Sequence, residues 1–174
     1  MDFPFQEEIY SFDEQSKLYL PEEKKIITGI SLSILGMIRE LARNPQRLYQ
    51  ISPRNFEEII AHVFSRNGFQ IELTKQSRDG GRDIIAIKSD LGIPLKYIIE
   101  CKRYAYSNPV SVGLVRNLYG VQMQEGANKS VLATTSRFTT DAKEFAAATN
   151  SAQWGMALKD FNDICIWLNH TVQE

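Results

Sequence analysis

An α/β fold with a mixed central sheet flanked by helices is predicted by three features of this sequence. Phe56, Ile59, Ile60, Val63 and Phe64 repeat at helical spacing, and the repeat stops at Asn67-Gly68. Three runs follow in which the period shortens or the residues become β-branched: FQIELT (69–74), RDIIAIK (82–88) and LKYIIECK (95–102). A helical stretch over roughly 110–125 then separates the third run from KSVLATTS (129–136), a short buried strand. That strand–helix–strand step is a parallel crossover. The resulting element order is αβββαβ.

The elements follow in chain order. Residues 1–20 read as irregular. Pro21 before EEKK suits a helix start, because proline fits the first turn and acids favour the positive helix end. This helix is expected to run to Arg43 and stop at Asn44-Pro45. Residues 1–50 are therefore read as an N-terminal helical appendage, and 51–174 as the main domain. Ser52-Pro53 caps and opens the second helix. Gly80-Gly81 and Asp90-Leu91-Gly92 supply turns, so the three strands form an antiparallel meander. Pro109 precedes the helix at 110–125, with Val112, Val115, Leu118, Tyr119 and Gln122 along one side. A helix at 138–148, a strand at 155–160 and a closing helix at 161–169 complete the chain.

Composition narrows the class. The chain has 174 residues, a formal net charge of −1 and two cysteines, Cys101 and Cys165. Two cysteines make no secreted disulfide framework, and neither has metal-ligand spacing to His62 or His170. A reducing cytoplasm is the expected compartment. The acidic, aromatic start MDFPFQEEIYSFDE is wrong for a secretory signal. IITGISLSILGMI (26–38) is too short for a membrane span, which takes about 20 apolar residues. No membrane association is expected. Near-zero net charge argues against indiscriminate coating of nucleic acid. Between residues 75 and 116, however, eight Lys/Arg face only four acids. A basic zone around a few carboxylates suits a phosphate partner with a metal, or simply a solvated face of mixed charge.

The chemistry concentrates in IIECKRYA (98–105). On a strand, Glu100 and Lys102 share a face while Cys101 points away. An isolated pair of this kind is most often a surface ion pair. The apolar run before it implies a central strand, where charges need partners. If 82–88 and 95–102 pair antiparallel, Asp83 lies close to Glu100. Two such carboxylates repel unless a cation sits between them. Oxygen ligands in a basic surround suit Mg²⁺, which keeps several waters and accepts phosphate oxygens. Asp79 competes with Asp83 for this role, although its Gly80-Gly81 neighbours make it a natural turn residue. Lys102 could orient a water or neutralise charge developing on a phosphate. Glu57 falls at the edge of the apolar helix face and could reach the sheet, or serve as an ordinary first-turn acid; Glu58 points away.

In order, the segments NFEEIIAHVFSRNGFQI, SRDGGRDIIA, IIECKRY, VGLVRNLYG and VLATTSRFTTDAKEFA resemble the Mrr-type catalytic domain of restriction endonucleases, within the PD-(D/E)xK nuclease superfamily. The resemblance covers Ser52 to about Ala148. It implies a restriction-endonuclease-like core and divalent-metal-dependent hydrolysis of DNA phosphodiesters, in restriction or defence against foreign DNA. It assigns the motif's Asp to Asp83, its acid to Glu100 and its Lys to Lys102, and raises Glu57 as the helix acid. Asp83, Glu100 and Glu57 would hold Mg²⁺, with Mn²⁺ as a substitute. No proline precedes Asp83, and many Mrr-like members carry Gln where this chain has Glu100.

Around this site Arg78, Arg82, Arg103, Tyr104 and Arg137 are the expected DNA contacts, giving affinity without sequence readout. Gln122 either approaches the site or is a helix-surface amide, and the surface reading carries more weight. Cutting both strands of a duplex takes two sites, so a homodimer is expected, with the helix at 22–43 as an oligomerisation surface. No recognition module is evident, so cleavage is nonspecific or specificity resides with a separate partner subunit. Other readings are a catalytically idle nucleic-acid-binding module on the same fold, and a repair, junction or RNA nuclease.

Overall fold

In the computed structural model the described residues are 25–27, 32–74, 81–149 and 155–173. They form six strands, β1 (Lys25–Ile27), β2 (Gln70–Leu73), β3 (Ile84–Asp90), β4 (Ile93–Lys102), β5 (Lys129–Thr134) and β6 (Met156–Lys159). Five α-helices accompany them: α1 (Leu32–Arg43), α2 (Pro53–Arg66), α3 (Val112–Gln124), α4 (Thr140–Thr149) and α5 (Phe161–Gln173), with a 3-10 turn at Pro45–Tyr49. The strands lie in the sheet in sequence order. β1 to β4 pair antiparallel, whereas β4–β5 and β5–β6 are parallel. The αβββαβ core and the parallel crossover through α3 match the sequence expectation.

One expected element is different. The first helix was placed from Pro21 to Arg43, but α1 starts only at Leu32, and Lys25–Ile27 is an edge strand paired with Ile71–Leu73. Ile26 and Ile27 are β-branched, a residue type that loses rotamer freedom in a helix and favours strands. Pro21 itself lies outside the described residues.

The sheet separates two cores. On one face α1, α2 and α5 pack Ile38, Leu41, Phe56, Ile60 and Leu168 against Ile84, Ile99 and Ala133. On the other face α3 and α4 pack Val115, Leu118 and Ala142 against Ile98 and Leu132. Packing is continuous across residue 50, since Ile34, Ile38, Leu41 and Leu48 share the cluster of α2. Alternation along β4 produces this division: Ile99 and Cys101 enter the first core, Ile98 enters the second, and Glu100 and Lys102 share the face of Ile98. Ile99 is completely buried. Ile99→Ala is expected to destabilise the fold by about 2–5 kcal/mol, read as a lower urea midpoint at unchanged slope. A shift within experimental error would show that this layer does not bear the packing assigned to it.

Helix α2 carries the residues that approach the site. Ser52 caps it by accepting from the Asn55 N–H at 3.0 Å, and Pro53 takes the first position. Its apolar stripe is buried as the spacing predicts. The β3–β4 hairpin turns at Leu91-Gly92, both with positive φ (49° and 79°), leaving Leu91 exposed at the sheet end opposite Lys102. Among the described residues no helix is long and apolar enough to cross a membrane.

Candidate active site

The site forms where β3 begins and β4 ends. Register pairs Ile84 with Ile99, so Asp83, one residue before β3, falls opposite Glu100. The backbone fixes it there, because the Asp83 N–H donates to the Ile99 carbonyl at 2.9 Å. Its carboxylate Oδ2 then accepts the Cys101 N–H at 2.7 Å. Asp83 thereby supplies a side-chain oxygen to a donor that lies between Glu100 and Lys102 on β4. Thr74 braces the same position, with both its N–H and its hydroxyl donating to the Asp83 carbonyl, at 2.9 and 3.1 Å.

Glu100 is buried, and the Lys102 Nζ meets its Oε1 at 2.6 Å. Burial pushes the Glu100 carboxyl above its ordinary range; the Lys102 hydrogen bond and charge oppose that, and the nearby Asp83 charge adds to it. Asp83 is likewise pushed up by burial, against the Cys101 N–H and the charges of Lys102 and Arg54. For Lys102, burial pulls downward, yet the Glu100 hydrogen bond and the charges of Glu100 and Asp83 win, so its pKa is raised. Lys102 is therefore held as an ammonium beside Glu100. Cys101, on the opposite face, has its thiol pushed well above the ordinary value by burial and then by the neighbouring acids.

Glu57 is buried on α2, as its place at the edge of the apolar stripe allows, while Glu58 is half-exposed. Burial raises the Glu57 carboxyl, an Arg54 hydrogen bond lowers it, and the Asp83 charge raises it again. The Arg54 Nη1 lies 2.8 Å from Glu57 Oε2 and also donates to the Thr74 carbonyl at 3.1 Å. The three acids thus form a chain with Asp83 in the middle, and protein cations hold both ends. Among the described residues no three His, Cys, Asp or Glu side chains converge closely enough to hold an ion as they stand. The Asp83–Glu100 pair still suits a hard divalent cation, since Mg²⁺ is commonly bound through one or two carboxylates with the remaining positions left to water and phosphate.

The other expected residues separate into groups. Arg82 is ion-paired to Glu125, and its Nε is buried without a hydrogen-bond partner. Arg103 donates from Nη1 to the Tyr49 carbonyl at 2.9 Å and also has a buried Nε without a partner. Tyr104 is half-buried against the second core. Arg137 is exposed over the Tyr106 ring at 5.3 Å. Arg78 and Asp79 lie outside the described residues.

Gln122 corrects the weight given to a helix-surface amide. It is completely buried, and its Oε1 accepts from the Ser130 hydroxyl at 2.6 Å. Ser130 pairs with Ile98, two positions before Glu100 along β4, so this contact braces α3 against the base of β5.

Sequence reasoning missed two supports. Arg54 is one. The other is the run Thr134-Thr135-Ser136, whose hydroxyls donate to the carbonyls of Lys102, Tyr104 and Tyr106 at 2.7, 2.7 and 3.1 Å. This ladder fixes the path of the chain just beyond the charged end of β4.

Comparison with known proteins agrees with the mixed sheet flanked by helices. Residues 48–168 match the Mrr_cat family model, described as restriction endonuclease, and the chain belongs to that family. It is 31% identical over 120 residues to the type IV methyl-directed restriction enzyme EcoKMrr of Escherichia coli (strain K12), covering 66% of this chain and 37% of that protein. It is also 31% identical over 109 residues to the uncharacterized protein y4cE of Sinorhizobium fredii (strain NBRC 101917 / NGR234), covering 63% of this chain and 28% of the relative. The chain therefore spans about a third of the length of these curated relatives. In fold it is similar to the DNA modification-dependent restriction endonuclease AspBHI, with a TM-score of 0.57 at 23% identity over 82% of this chain and 36% of that one. MspJI restriction endonuclease, solved with a 27-mer oligonucleotide, gives 0.52 at 19% identity over 83% and 33%.

Proposed function

We propose that this chain is a divalent-metal-dependent endodeoxyribonuclease that acts in restriction of foreign DNA. The observation that carries the reading is Asp83 set opposite the buried Glu100, with the Lys102 ammonium 2.6 Å from Glu100. The names of EcoKMrr, AspBHI and MspJI, a restriction enzyme and two restriction endonucleases, support DNA as the substrate. Asp83 and Glu100 are the residues that would hold Mg²⁺, with Mn²⁺ able to replace it. When bound, such an ion supplies Lewis acidity toward the phosphodiester and makes water more acidic.

The chain's own residues account for the rest. Lys102 stays protonated and stands beside the acid pair, where its N–H groups can meet charge that develops on a scissile phosphate. The Cys101 N–H holds the Asp83 carboxylate in place, so one oxygen is spent on orientation and the other remains for chemistry. Arg137 and Tyr104, near the end of β4, are suited to phosphate contacts that fix the duplex without reading its sequence. Cutting both strands takes two such sites, which a homodimer provides, and target choice then rests with a separate partner or domain.

The test is cleavage of supercoiled plasmid with Mg²⁺, and with EDTA in parallel. Nicked or linear product in Mg²⁺ and none in EDTA is expected. DNA bound but uncut with either Mg²⁺ or Mn²⁺ would replace this reading with a catalytically idle binding module.

A further inference from the structure

Arg54 is a cation at this site, among the described residues, that the nuclease motif does not include. It stands on the first turn of α2, three residues before Glu57, and its guanidinium makes three contacts. Nη1 holds Glu57 Oε2 at 2.8 Å, the same nitrogen reaches the Thr74 carbonyl at 3.1 Å, and Nε lies 3.8 Å from Glu58 Oε1. The contact to Thr74 matters because Thr74 in turn holds Asp83 through its N–H and hydroxyl. One guanidinium therefore bridges the helix acid and the strand that carries the central aspartate.

This arrangement bears on how many ions the site takes. The three acids would be enough oxygen donors for two divalent cations, one between Asp83 and Glu100 and another between Asp83 and Glu57. Glu57 is buried, so its charge needs a counter-charge close by. Arg54 supplies it from within the protein, and a guanidinium cannot be deprotonated at working pH. Its planar fork is also held at a second point by Thr74, so it is not a side chain that swings away at small cost.

We infer that Arg54 is a positioning residue that takes the place of a second metal ion, keeping Glu57 out of the ligand set and restricting the site to a single divalent cation held by Asp83 and Glu100. The inference rests on the metal-site reading above, and it adds the ion count and the residue that sets it. Glu57 then acts through Arg54 and Thr74 to keep Asp83 aligned and does not itself ligate.

Mn²⁺ binding to the metal-free protein, followed by the electron paramagnetic resonance signal of free Mn²⁺ and by titration calorimetry, tests it without DNA. The unmodified chain is expected to bind one Mn²⁺, Arg54→Gln two, and Arg54→Lys one, because lysine keeps the charge. Glu57→Gln is expected to keep the single site and to weaken it by no more than the roughly 10–100-fold that outer-shell partners account for, where loss of a direct ligand would cost more than that. Two ions in the unmodified chain, or one in a folded Arg54→Gln protein, would overturn the inference. So would a loss of affinity of more than about 100-fold in Glu57→Gln, a result that stands even if Arg54→Gln fails to fold. No Mn²⁺ bound by the unmodified chain would instead overturn the metal-site reading, and this inference with it.

Discussion

The Lys102→Ala protein is expected to cut plasmid about 10²–10³-fold more slowly than the unmodified chain, the usual effect of removing one donor aimed at developing charge. The size follows from the environment of Lys102. Its ammonium is half-buried beside Glu100 and stays charged because the acids outweigh the burial that opposes it. In a partly desolvated site a positioned charge is worth more than in water. Folding should survive, since the truncated side chain lies at the end of β4 and not in either core. The variant should also keep its Mn²⁺ site, because lysine is no ligand. Plasmid nicking that continues at the original rate would mean that another residue meets the phosphate.

The second large effect is on stability. Asp83→Asn is expected to melt at a higher temperature than the unmodified chain in EDTA at neutral pH, while losing cleavage and Mn²⁺ binding. Burial raises the Asp83 carboxyl above its ordinary range in the fold. A group whose folded pKa is raised contributes its full stability below the unfolded pKa and loses it as pH rises through the folded one. The ionised aspartate therefore weighs against the metal-free fold above the ordinary carboxylate range. Asparagine avoids this and keeps an oxygen for the Cys101 N–H. The gap in melting temperature should widen from about pH 4, near the unperturbed aspartate pKa, toward neutrality. Mn²⁺ should stabilise the unmodified chain and leave the variant unmoved. A gap that stays flat across this range, or reverses, would show that the burial does not weigh on the carboxylate.

Much of this was legible in the chain. The β-branched runs and their glycine turns define the meander because strand period and turn chemistry are local properties. Asp83, Glu100 and Lys102 follow from that register. Glu57 followed from helix angle, and its burial agrees. What could not be read depends on partners distant in sequence. The hydroxyls of Thr134, Thr135 and Ser136 bond to carbonyls about thirty positions away, and carbonyls carry no side-chain signal. Arg54 looks like any first-turn base until Thr74 is folded against it. Gln122 shows the limit of periodicity: the helical pattern placed it on the side of Val115 and Tyr119, yet an amide at that position reads as surface until Ser130 provides a buried partner. The start of α1 failed for another reason, since the helix-favouring PEEKK precedes an isoleucine pair that pairs as an edge strand.

The bond between the Cys101 N–H and the Asp83 carboxylate has a consequence for how such a protein changes over generations. A single base change converts an aspartate codon to asparagine, and here that change keeps an acceptor for the Cys101 N–H and removes a charge that the fold partly withdraws from water. For a chain that cuts DNA as proposed, loss of cutting by this route is expected to leave the fold standing, and drift in a lineage released from selection for cleavage has an open path through it. Descendants that took it would keep the sheet, the Thr74 brace and the Lys102–Glu100 pair intact, and a single amide at position 83 would be the mark of their silence.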